Sequence, residues 1–206
     1  MSPIGAAPTK PSTRDKMLAS AAEVLRERGA SGVTIDSVLA RSGAPRGSVY
    51  HHFPEGRTQI LAEALRHSGD AITAKIDDAV DQGARVLLRG FVEYWNNLLS
   101  DCNFTAGCPV VAAAISSAED DLELATEAGT ILSRWSAAMT RAFVADGFEE
   151  PEAASLAVMS IAALEGAIML SRSTRSATPL HQVSEQLEFL IKAREFVSQH
   201  RLADKA

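Results

Sequence analysis

The sequence predicts an all-α protein of about nine helices. Apolar residues recur at three- and four-residue spacing over long stretches, alanine is abundant while aromatics make up only 5%, and proline is absent from long segments. No segment alternates apolar and polar residues in the manner of a half-buried strand, and no internal repeat appears. At 206 residues the chain suits one large helical domain, or a small module joined to a larger one.

Each helix has its own punctuation. Ser12 or Thr13 can cap the first, with Asp15 in the first turn where a carboxylate favours the positive helix end. Met17, Ala21, Val24 and Leu25 then form its inner face, and Gly29 ends the run. A short second helix begins at Thr34, with Val33 and Val38 spaced as a hydrophobic staple, and closes at Gly43. Pro45 is expected in the first turn of a third helix, where its missing N–H costs little. That helix stops near Phe53, because Pro54 and Gly56 follow.

Longer helices fill the rest. Residues 57–79 carry Ile60, Leu61, Leu65 and Ile72 on one face, and Gly83 marks a break. Leu87, Phe91, Tyr94, Trp95 and Leu98 keep a 3.6-residue period, then a loop at 101–109 leads to a short apolar helix through Ile115. Ile131, Trp135, Met139 and Phe143 form another inward stripe, ended by Asp146 and Gly147. Pro151 opens an apolar, alanine-rich helix, a polar loop is expected at 171–178, and Leu180, Val183, Leu187, Leu190 and Val197 mark the last helix.

Residues 1–60 hold eight Lys and Arg against five Asp and Glu, so the net charge of −6 divides into +3 for that part and −9 for the remainder. A mildly basic head on an acidic body fits DNA contact by one end, and excludes a protein that coats nucleic acid along its whole surface. Cys102 and Cys108 make neither a disulfide framework nor a zinc site; a buried, inert thiol is expected over a redox sensor, because cations near them are lacking. Residues 1–12 read as a polar, proline-rich tail rather than a signal peptide. The run 153–170 contains Ser155, Ser160, Glu165 and Gly166, so a buried core helix is expected rather than a membrane span. Isolated His67, His181 and His200 suggest no metal site, and no cofactor motif appears. A cytoplasmic protein is expected.

The informative segment is T-I-D-S-V-L-A-R-S-G-A-P-R-G-S-V-Y-H-H-F over residues 34–53. Two short helices joined at Gly43 have the spacing of a helix-turn-helix, whose second helix fits a major groove about 12 Å wide. If Val49 points inward, Gly47, Ser48, Tyr50 and His51 face away, and Gly47 leaves room for close approach. Arg46 has the reach for a bidentate contact to guanine, and Ser48 for a base or a phosphate. Tyr50 and His52 suit phosphates, while Thr34 and Arg57 lie at helix N-termini that favour one. The alternative is a trihelical module used for protein contact.

The segment from Thr13 to about Leu65, with V-T-I-D-S-V-L-A-R-S-G and then G-S-V-Y-H-H-F-P-E-G-R, resembles the DNA-binding domain of TetR/AcrR repressors. The resemblance implies that the positions of Tyr50, His52 and Arg57 contact the DNA backbone, and that the third helix enters the major groove. It also implies a helical C-terminal domain that dimerises and holds a small molecule. F-T-A-G-C-P-V at residues 104–110 further resembles the LmrA/YxaF-like branch. The chain departs from the pattern at Pro45, where a small polar cap is usual, and at Glu55, which places a carboxylate near phosphates.

Residues 12–58 are accordingly expected to form the DNA-binding head, and 59–206 the effector-binding and dimerisation body. Phe91, Trp95, Phe104, Cys108, Trp135, Met139, Glu165 and Met169 are candidates for lining an apolar ligand pocket, with core packing as the alternative reading. Trp95 and Trp135 stand out because a buried indole N–H wants a partner. Glu165, a carboxylate on an apolar helix, would anchor a cationic or hydrogen-bonding ligand, or else pair with an arginine. The apolar faces of the last two helices suit pairing with a second copy, which would place two heads on a palindromic operator. The expected partners are double-stranded operator DNA, a small effector and a second copy, with no membrane. No nucleophile–base pair or phosphate loop supports an enzyme, while an activator or architectural DNA-binding protein remains a competing class.

Overall fold

A computed structural model describes residues 11–116 and 122–203, which hold helices and turns and no strand. Of the tail expected over residues 1–12, residues 1–10 lie outside them. Helix α1 (Thr13–Gly32) begins at Ser12, whose hydroxyl accepts from Asp15 N–H while the Asp15 carboxylate accepts from Ser12 N–H, a reciprocal box that closes two otherwise orphaned donors. Gly29 breaks the helical geometry as expected, at φ 71° and ψ −177°, but helical hydrogen bonding resumes as far as Gly32.

Helix α2 (Ile35–Ser42) repeats the capping device. Thr34 Oγ1 accepts from Ser37 N–H at 3.0 Å, and Ser37 Oγ accepts from Thr34 N–H at 2.9 Å. Val33 and Val38 are both buried beside this cap, and Gly43 ends the helix in the left-handed region at φ 66°. Thr34→Ala should cost about 1 kcal/mol of stability, read as a lower urea midpoint at unchanged slope.

The third helix corrects the sequence reading. Pro45 stands before it, extended at φ −65° and ψ 140°, and the chain then winds one 3-10 turn over Arg46–Ser48 before helix α3 (Val49–His52). Ser48 donates both its N–H and its hydroxyl to the Pro45 carbonyl, at 3.0 and 2.6 Å, so the tight turn is closed from Ser48 rather than by a cap. Val49 and Phe53 are buried, at 1% and 0% exposure, within the same core as Met17, Leu25 and Val38.

The body follows as α4 (Arg57–Val80), α5 (Ala84–Asp101), α6 (Pro109–Ala114), α7 (Leu122–Ala145), α8 (Glu150–Thr174) and α9 (Thr178–Ala203). Helix α4 packs on α1 and also on α5 and α7, so the boundary expected at residue 58 falls inside a continuous helix. Head and body share one buried core. The polar loop expected at 171–178 is shorter, because Ser173 and Thr174 hydroxyls bond back to the Leu170 carbonyl and the helix continues until Arg175 takes a left-handed conformation. Helix α8 is long and apolar enough to cross a membrane by length and composition, but it packs against α7 and α9 and buries Leu156, Ser160, Leu164 and Ile168.

Away from α4, α1 packs on α6, and hydrogen bonds among the described residues reinforce that junction of head and body. Gly107 N–H donates to the Arg26 carbonyl at 3.0 Å, and Arg26 Nε donates back to the Gly107 carbonyl at 3.3 Å. Beside them, the Arg172 guanidinium on α8 donates to the Glu27 carbonyl on α1.

Candidate nucleic-acid interface

Burying Val49 and Phe53 fixes what the rest of the 3-10 turn and α3 present. Arg46, Gly47, Tyr50 and His51 are exposed, and Ser48 and His52 are half-buried. Nothing stands within 4 Å of a Cβ added at Gly47, so this position faces open space. Tyr50 is 62% exposed, which for a residue of its size marks a ring held out of the core. His51 and His52 lie edge to face at 4.9 Å between ring centroids. These residues form one polar surface on the outer side of the head.

Several of these side chains have partners within the chain. Arg46 forms an ion pair with Asp36 on α2 at 2.5 Å, with both side chains about three-quarters exposed. Such a pair is weak in water and readily exchanged for a base or a phosphate. Thr34 is exposed, and its hydroxyl oxygen accepts the cap bond while its own hydrogen remains for donation outward. Arg57 stands at the start of α4, and its side chain has partners within the chain. Its Nε donates to the Val33 carbonyl at 2.8 Å and its Nη2 to the Ala30 carbonyl at 2.9 Å, so the guanidinium ties the start of α4 to the α1–α2 turn.

Two residues that the sequence reading missed bear on this surface. Gly56 adopts φ 64°, a left-handed conformation that favours glycine, and lies against the Tyr50 ring. Its place after Pro54 marked it only as a helix stop. Asp36 holds Arg46, a pairing across ten residues that two exposed charges on different helices do not announce.

The candidate ligand residues separate. Cys108, Glu165 and Met169 come together with Val111, Ile115 and Arg172 around a cavity of about 240 Å³ between α6 and α8. Phe91 borders a far smaller hollow of about 10 Å³. Trp95, Trp135 and Met139 are fully buried in the core, and Phe104 is half-buried in the turn after α5, at φ 58°. Trp135 finds its partner within the chain, since Nε1 donates to Thr73 Oγ1 at 2.8 Å, whereas Trp95 Nε1 is buried without a partner. Burial pushes the Glu165 carboxyl up to about 7, offset in part by the Cys108 thiol donating to it. Burial, and then the neighbouring carboxylate, raise the Cys108 thiol well above its usual range, which disfavours the reactive thiolate.

Residues 17–64 match the family of bacterial regulatory proteins described as the tetR family, and residues 85–186 match the C-terminal domain of LmrA/YxaF-like transcriptional regulators. An uncharacterized HTH-type transcriptional regulator of Mycobacterium tuberculosis is 41% identical over 185 residues, spanning 87% of this chain and 94% of that protein. The HTH-type transcriptional regulator LmrA of Bacillus subtilis is 26% identical over 182 residues, covering 87% and 97%. A crystal structure of a TetR transcriptional regulator from Chloroflexus aurantiacus superposes with a TM-score of 0.73 at 25% identity, over 87% of this chain and 94% of that one.

Proposed function

The chain belongs to the TetR family of bacterial transcriptional regulators, which are DNA-binding transcription factors and not enzymes, and from that premise we propose a dimeric repressor released by a small, largely apolar ligand. The observation that carries the reading is the polar surface of Arg46, Gly47, Ser48, Tyr50 and His51, held outward by buried Val49 and Phe53. Arg46 reads a base, with Gly47 and Ser48 at the groove floor, and Tyr50, His51 and His52 bind phosphates. Thr34 adds a phosphate contact at the start of α2. At Arg57 the backbone amide, rather than the guanidinium, takes that role, because the side chain serves two carbonyls.

Pairing of two copies is supported by apolar side chains left exposed on α8 and α9, among them Val158, Leu170, Phe189 and Val197. A two-fold pair sets two heads on a palindromic operator. TetR-type regulators are generally cytoplasmic, and this chain is assigned there. The cavity between α6 and α8 supports release by a ligand, which shifts the two heads only if it binds the two arrangements with different affinity.

The test is retention of DNA from the promoter region of its own gene, read by fluorescence anisotropy at two salt concentrations. Arg46→Ala should cost about 1–3 kcal/mol on the preferred sequence and relax preference at one position of each half-site. Tyr50→Phe should instead weaken binding to all sequences alike. No retention at low salt by the wild-type protein would overturn the reading.

A further inference from the structure

Glu165 stands in the middle of α8, on the wall of the cavity shared with α6. Its Oε1 is closed off from solvent and has no hydrogen-bond partner, although the Cys108 thiol serves the carboxyl group. The adjoining wall is apolar, made by Val111, Ile115, Ile168 and Met169. A buried acceptor in such a setting is a cost that the chain itself does not relieve. The ligand that relieves it brings a donor to Oε1.

The choice among donors follows from charge. Once ionised the carboxyl repels an anion, and a hydrocarbon leaves Oε1 unmet. A neutral hydroxyl gives one hydrogen bond, whereas a protonated amine gives a hydrogen bond and an ion pair at Oε1, which is itself closed off from solvent. Arg172 marks the other end of the cavity, seven residues along α8 and so roughly 10 Å away. Its guanidinium holds the Glu27 carbonyl of α1, next to the paired bonds between Arg26 and Gly107. A molecule anchored at Glu165 therefore lays its apolar end against the side chain that joins body to head.

We propose that this cavity is the effector site, that it takes a small organic cation with a protonated amine on Glu165 and an apolar body along α6 and α8, and that Arg172 passes its occupancy to the DNA-binding head. The proposal rests on the regulator reading above and names the ligand class and the route of release.

Three probes of similar shape test it on the full-length protein by titration calorimetry: 2-phenylethylamine, 2-phenylethanol and propylbenzene. The amine should bind the wild-type protein about tenfold or more tighter than propylbenzene, with the alcohol between them. Glu165→Gln keeps the volume and should erase the amine's advantage. Ala112→Leu, which fills the cavity from α6, should weaken all three. In the same samples the amine should release promoter DNA from the wild-type protein, and Arg172→Gln should bind the amine yet fail to release. Equal affinity for amine and hydrocarbon, an advantage that survives Glu165→Gln, or no saturable binding of any probe would overturn the proposal. Promoter retention by the wild-type protein without a probe keeps its failure separate, because retained DNA leaves the regulator reading standing.

Discussion

Phe53→Ala should lower stability by about 3–5 kcal/mol and abolish DNA retention. Phe53 is wholly buried at the end of α3, packed in the core that α1, α2 and α4 share, and the Arg14 guanidinium lies 5.1 Å from its ring centroid. Truncation opens a cavity among Met17, Leu25 and Val38, buried side chains of the same core. Whole domains are typically stable by only about 5–15 kcal/mol, so the loss is a large share. Urea denaturation followed by circular dichroism measures it. Phe53→Leu, which keeps most of the volume, should recover most of the stability and the DNA binding together. A Phe53→Ala protein with the wild-type midpoint would show that α3 is not held by this residue.

The second large effect concerns pH. Burial lifts the Glu165 carboxyl from its ordinary 4.5 to about 7 in the folded chain, with the Cys108 hydrogen bond pulling back in part. Between those values the folded protein keeps a proton that the unfolded chain has released, so stability falls as pH rises through this window. Above about 7 the folded form releases it too, and the full penalty, on the order of 3 kcal/mol, is then in place. Denaturation midpoints at about pH 5 and about pH 8 should therefore differ in the wild-type protein, with this component absent in Glu165→Gln. The variant should be the more stable of the two at the higher pH. A wild-type protein whose pH dependence matches that of Glu165→Gln would remove the buried carboxyl from the account.

Much of the head was legible in the chain itself. Thr34, Val33, Val38 and Gly43 specify α2 by local chemistry alone, and each holds the position that its residue type demands. The apolar spacing of α4, α5 and α7 announced the buried faces in the same way. What sequence patterns could not supply were partners distant along the chain. The bonds of Arg57 to the Val33 and Ala30 carbonyls, and of the Trp135 indole to Thr73, are of this kind. Arg172 gave no signal at all, since its partner is a backbone carbonyl 145 residues away. Pro45 was misplaced by one position because the chain tightens into a 3-10 turn there, a choice set by Ser48 bonding back to it.

The central claim is that α3 and the turn before it read DNA through Arg46, twice over in a symmetric pair. Sequencing the DNA recovered by the full-length protein from a random library, for wild type and Arg46→Ala side by side, tests it most directly. The wild-type protein should enrich a palindrome whose half-sites lie about one helical turn, roughly 10 base pairs, or a multiple of it apart. Arg46→Ala should recover the same palindrome with one position in each half-site degenerate. A wild-type pool without two-fold symmetry, or an Arg46→Ala pool identical to it, would contradict the account.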